Sequence, residues 1–189
     1  MLLPLLGRFV ARLAPSSLNG RRRQRRKALR CRPTLEVLEG RCLPSVTWDS
    51  VNHPDGGSWE DANNWIDDQG MHRLPGQYDD VTIAGLNPGA IVTVNPAPYG
   101  DGAARLFFSG EAMLCVLSGG FSMGTATFDA ASTFKVLGGT VSFANTTING
   151  SFDLYGGTVY VVGPNTLNGP FDFSGGQLQN GNGGSVLLT

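Results

Sequence analysis

The chain has 189 residues, 41% hydrophobic and 15% charged, with a formal net charge of −1. That much apolar material excludes a wholly disordered chain and suffices for the core of one domain. The 27 glycines are about twice the average share, and with abundant β-branched residues and little Lys they predict short strands and tight turns, hence an all-β fold.

The small net charge hides two unlike segments. Residues 1–44 carry eleven Arg or Lys against Glu36 and Glu39, giving +9, whereas residues 45–189 carry only Arg73, Arg105 and Lys135 against thirteen acids, giving −10. The apolar start, Met1 to Leu13, is interrupted by Pro4, Arg8 and Arg12. It falls short of the roughly 18 residues a membrane-spanning helix needs, so no transmembrane span is expected. The basic run from Arg21 to Lys27 follows the apolar part, the reverse of an ordinary signal peptide. Arg-rich segments also suit phosphates. With no recognition fold beside this one and an acidic body after it, a nucleic-acid partner is not expected.

Leu35, Glu36, Leu38, Glu39, Arg41 and Leu43 follow the Arg run as a Leu-Glu-x-Leu-Glu-x-Arg-x-Leu box. Run and box together resemble the leader of large planctomycete extracellular proteins. The resemblance implies export to the envelope or beyond the cell, and residues 1–45 are read as a basic sorting segment, largely disordered. Of the three cysteines, Cys31 and Cys42 lie in this leader and Cys115 in an apolar strand. The odd, sparse set suggests neither a disulfide framework nor a metal site, and Cys115 reads as a small buried hydrophobe.

Residues 46–85 differ in character: Trp48, Gly57-Ser58-Trp59, Asn64-Trp65, Pro75-Gly76 and Asp79-Asp80-Val81-Thr82-Ile83. The pattern is similar to the entry segment of bacterial β-helical surface proteins and autotransporter-like passenger regions. A solenoid needs an atypical terminal unit over its first coil, and Trp48, Trp59 and Trp65 would make a lid. The alternative is an aromatic platform for sugars. Asp61, Asp67, Asp68, Asp79 and Asp80 would suit calcium if they converged, though without an EF-hand spacing their expected role is to bond nearby backbone. His53 and His72 receive no role.

Residues 86–189 are read as solenoid repeats of about 19 residues. Glycine pairs fall at Gly119-Gly120, Gly138-Gly139, Gly156-Gly157 and Gly175-Gly176, in steps of 19, 18 and 19 residues. Around them Phe134, Lys135, Val136 align with Phe152, Asp153, Leu154 and with Phe171, Asp172, Phe173, while Asn149-Gly150 and Asn168-Gly169 mark a second turn. One unit therefore reads strand, Gly-Gly turn, strand, turn. Alternation places Phe134, Val136, Phe152, Leu154, Phe171 and Phe173 inside and Lys135, Asp153 and Asp172 outside. A parallel β-solenoid follows, a β-helix that the family resemblance implies to be right-handed, with glycines at its corners relieving positive φ.

Asp153 and Asp172 could pair as glycoside-cleaving carboxylates do. Against this, no His follows His72, no Arg follows Arg105, and no insertion is long enough to wall off a cleft. The expectation is a non-catalytic, adhesin-like surface or matrix protein meeting envelope polysaccharide or protein. A carbohydrate- or calcium-binding module and a fragment of a β-helical polysaccharide-active enzyme are the alternatives.

Overall fold

The structure is a computed structural model and describes residues 44–95 and 101–189. The leader, with its Leu-Glu box, Cys31 and Cys42, lies outside the described residues apart from Pro44 and Ser45.

Seventeen short strands are present: β1 (Ser45–Trp48), β2 (Gly56–Ser58), β3 (Trp65–Asp67), β4 (Asp80–Ile83), β5 (Ile91–Val94), β6 (Asp101–Phe108), β7 (Met113–Val116), β8 (Gly120–Phe128), β9 (Thr133–Val136), β10 (Thr140–Ala144), β11 (Thr147–Ile148), β12 (Ser151–Leu154), β13 (Thr158–Val162), β14 (Pro164–Leu167), β15 (Phe171–Phe173), β16 (Gln177–Asn180) and β17 (Ser185–Leu188). A 3-10 turn, Ala62–Asn64, separates β2 from β3.

These strands stack as a parallel β-solenoid with three faces. The first face is β2, β5, β7, β9, β12 and β15 in sequence order. The second begins with residues 101–103 of β6, continues with the first half of β8, and is extended by β10, β13 and β16. The third runs through β1, β4, the second halves of β6 and β8, β11, β14 and β17. Every one of these pairings is parallel. Only β3 runs antiparallel, along the outer edge of β1. The coil thus has three strands where the sequence pattern suggested two. The missed one, β11, β14 or β17, is only two to four residues long, and in β11 and β14 it precedes the Asn-Gly turn.

Alternation decides what fills the interior. Val92, Leu114, Phe134, Phe152 and Phe171 occupy one inward register position on successive coils of the first face, at steps of 22, 20, 18 and 19 residues. Burial of such a Phe stabilises by roughly 1.5–3 kcal/mol, and ring stacking adds about 0.5–1.5 kcal/mol. The third face contributes Ile83, Phe108, Phe128, Ile148 and Leu167, all buried.

Phe134, Val136, Phe152 and Leu154 are buried as expected. Phe171 is only partly buried, and Phe173 is 54% exposed. The reason is position: β15 has a neighbour on one edge alone, so the ring that Phe173 lays over Leu154 has no coil above it.

The glycine corners also differ in detail. Positive φ falls on the second glycine of three pairs, Gly139, Gly157 and Gly176, but on the first of the earliest pair, Gly119. Gly120 instead opens β8 opposite Thr140, so the first step is 20 residues and Ser118 holds the place taken later by Gly138. At Gly157, a Cβ would come within 2.5 Å of the Gly139 carbonyl oxygen on the coil before. The corner thus needs glycine both for its φ of 74° and for this close approach.

β1 and β4 already lie in register on the third face, and β2 begins the first, so residues 46–85 supply the first rungs as well as the end closure.

Candidate functional site

The three tryptophans form a closed lid. Trp48, Trp59 and Trp65 are at most 2% exposed and meet edge to face, with centroids 4.9 Å apart for Trp48 and Trp65 and 4.7 Å for Trp59 and Trp65. Trp59 also packs edge to face on Phe121 at 5.0 Å, which ties the lid to the second face. Trp48 Nε1 donates to the His53 carbonyl at 3.0 Å, and Trp65 Nε1 to the Trp59 carbonyl at 2.8 Å. Rings so enclosed leave no face for a sugar, so the aromatic platform reading of these residues falls.

The acidic residues of this segment are dispersed among separate partners. Asp79 is buried and takes the Arg73 guanidinium at 2.5 Å and the Gly76 N–H at 2.7 Å. Asp80 holds Arg105 at 2.6 Å. Asp67 accepts from the Gln69 and Met71 N–H groups, Asp68 from Ser45, and Asp61 from the Asn63 N–H at the start of the 3-10 turn. Backbone donors hold Asp67 below the usual carboxylate range, and the Ser45 hydroxyl does the same for Asp68. Among the described residues no three His, Cys, Asp or Glu side chains gather as a metal site requires. His72 Nδ1 donates to the Trp65 carbonyl at 2.8 Å, a packing role for a residue that received none from its sequence context.

On the outer side of the first face the charged file is as alternation requires: Lys135, Asp153 and Asp172 occupy one register position. Lys135 Nζ stands 3.7 Å from Asp153 and 5.1 Å from the Tyr155 ring centroid. Ser151 donates to Asp153 at 2.9 Å, while Asp172 accepts from Tyr155 at 3.1 Å and Ser174 at 2.5 Å. The two carboxylates thus have separate partners. Cys115 is a free, buried thiol in the same file, opposite Thr93 and Lys135 rather than in the core. Burial pushes its pKa up, with Lys135 pulling the other way.

The feature that sequence reasoning missed lies on the second face. A cleft of about 540 Å³ is lined by Pro75, Gly76 and Gln77 of the loop before β4 and by Asp101, Gly102, Gly120, Phe121, Ser122, Thr140 and Ser142 of the face itself. Its floor is made of glycines and hydroxyl residues, and Asp101 is its one ionisable lining group. Asp101 sits in register with Phe121, an inward position, and its Oδ2 is buried without a hydrogen-bond partner. Burial first, then the nearby charge of Glu60, raise the Asp101 pKa to about 6. Glu60 is held in turn by the Ser58 hydroxyl at 2.5 Å and the Asn95 N–H at 2.5 Å. No sequence signal pairs Glu60 with Asp101, because they are brought together only by coiling. The loop of residues 75–77 is equally remote in sequence from the face it borders.

Comparison with known proteins returned no matching family model, curated protein or solved structure. Among the described residues no helix is long and apolar enough to cross a membrane.

Proposed function

We propose that the chain is an exported, non-catalytic surface or matrix protein, a short structural rod that meets envelope or matrix polymers. The observation that carries this reading is the regularity of the coils: three parallel faces follow one another from β6 to β17 with only short connections. Such a body offers extended faces, the second of them bordered by the short loop of residues 75–77. The likeness of the leader to planctomycete extracellular proteins supports export. The separate partners of Asp153 and Asp172 support a solvated charge file rather than a catalytic pair.

The test is fractionation of the native cells, with mass spectrometry of the protein's N-terminus. Recovery in the envelope or medium is the expected result. Recovery in the cytosol with residues 1–45 intact would remove the export claim.

A further inference from the structure

The cleft on the second face continues along the solenoid axis. Gly102, Ser122, Ser142 and Tyr160 occupy one outward register position on successive coils. Beside them Gly120, Thr140 and Thr158 form a second file. At about 4.8 Å per coil, the run from Gly102 to Tyr160 covers about 14 Å. Pro75 and Gln77 wall its lower end, and Tyr160, 38% exposed, stands at its upper end.

We propose that this trough binds a short run of a neutral polysaccharide laid along the solenoid axis, with the hydroxyls of Ser122, Thr140 and Ser142 meeting sugar hydroxyls and the Tyr160 ring packing on a sugar face.

The lining selects the ligand class. Glycines at 102 and 120 let a chain approach the backbone, and hydroxyls on the floor can donate or accept as sugar hydroxyls require. An exposed phenol ring supplies an apolar surface with a polar tip at one end. An acidic polymer is disfavoured: Arg73, Arg105 and Lys135 are the only cations in residues 45–189, each is paired with a carboxylate, and none lines the trough. An extended peptide would seek a free strand edge. The inner strands of this face, β8, β10 and β13, have both edges paired, so their backbone groups are already taken.

The inference rests on the reading of the chain as a protein that meets envelope or matrix polymers, and its test is separable from the test of that reading. Full-length protein is titrated calorimetrically with cellotetraose, laminaritetraose and chitotetraose, and with polygalacturonate and heparin as acidic comparators. Saturable binding of at least one neutral oligosaccharide is expected. Ser142→Trp, which fills the trough, and Tyr160→Ala, which removes the ring, should each weaken it at least tenfold without changing the melting temperature. Tyr155→Ala, on the first face, should leave it unchanged. Absence of binding to all three neutral probes, binding of the acidic polymers alone, or affinity that survives both trough substitutions would overturn the proposal. A blank titration of a protein found in the envelope fraction removes the trough and leaves the scaffold reading. Trough-dependent binding by a protein found in the cytosol does the opposite.

Discussion

The rings of Phe134 and Phe152 lie 5.3 Å apart and 11° from parallel, one coil step from each other, and Phe152 and Phe171 repeat the arrangement at 5.2 Å and 11°. A residue in the middle of such a column is buried by its own coil and by both neighbours. Phe152→Ala should therefore cost about 3–5 kcal/mol, and Phe152→Asp should abolish cooperative unfolding, since it places a charge inside the stack. Asp153→Asn, one residue away on the outer side, should stay within about 0.5 kcal/mol. Thermal melts followed by circular dichroism give the ranking, and the reverse order would mean that inside and outside are exchanged.

Gly157 and Gly89 both have positive φ, 74° and 81°, but differ in surroundings. A Cβ on Gly157 would meet the Gly139 carbonyl oxygen at 2.5 Å, whereas nothing lies within 4 Å of one on Gly89. Gly89→Ala should cost about 1 kcal/mol, the backbone strain alone. Gly157→Ala should cost at least about twice as much, because the coil spacing must open. Chemical denaturation of the two variants compares them directly.

Asn165 is buried under the third face, and its side chain bridges coils. Its Oδ1 accepts from the Thr146 N–H at 2.9 Å, and its Nδ2 donates to the Gly163 carbonyl at 2.9 Å, with the Val162 and Ser185 carbonyls at 3.3 and 3.4 Å. Asn165→Ala leaves those groups without a side-chain partner and should cost about 2–4 kcal/mol. Asn165→Asp should be worse at pH 7 than at pH 4, since a carboxylate there would face carbonyl oxygens. Equal melting temperatures for the Asn165→Asp variant at the two pH values would contradict this.

Asp101 sets a pH dependence of known sign. Its folded pKa of about 6 lies above the ordinary value of 3.8, so the folded state holds the proton more tightly than the unfolded chain. The resulting stability is fully present below pH 3.8 and is lost as pH rises through 6. The change should be about 1 kcal/mol once partial solvent access is allowed for. Melting temperatures of wild type and Asp101→Asn, measured from about pH 4 to about pH 7.5, should diverge in that window. A wild-type slope that the variant retains would assign the effect elsewhere.

Much of the fold was legible because a solenoid writes each coil into the sequence. Phe134, Phe152 and Phe171 sit at near-constant spacing among alternating polar residues, and that periodicity fixes both the parallel stacking and the facing. The third strand of each coil was not legible. Thr147–Ile148 and Pro164–Leu167 are too short to show alternation, and their inward column includes Thr146 and Asn165, polar residues made compatible with the interior only by the cross-coil hydrogen bond. The Gly119-Gly120 register slipped by one for a similar reason: two adjacent glycines do not say which takes the positive φ, and the choice depends on the Thr140 strand beside them. The lid could be read from three Trp near the start of the coils. The trough could not, because glycines and hydroxyls on a polar face look like ordinary surface until coiling aligns them with the loop of residues 75–77.

In-register stacking of coils is the claim on which the faces, the charge file and the trough all depend. Its most direct measurement is the set of interstrand amide and ring contacts in a nuclear Overhauser spectrum of isotopically labelled protein. Contacts from Phe152 to both Phe134 and Phe171, and from Val141 to both Phe121 and Val159, are the expected result. Contacts from Phe152 to residues outside that register, or helical chemical shifts between residues 101 and 189, would contradict it.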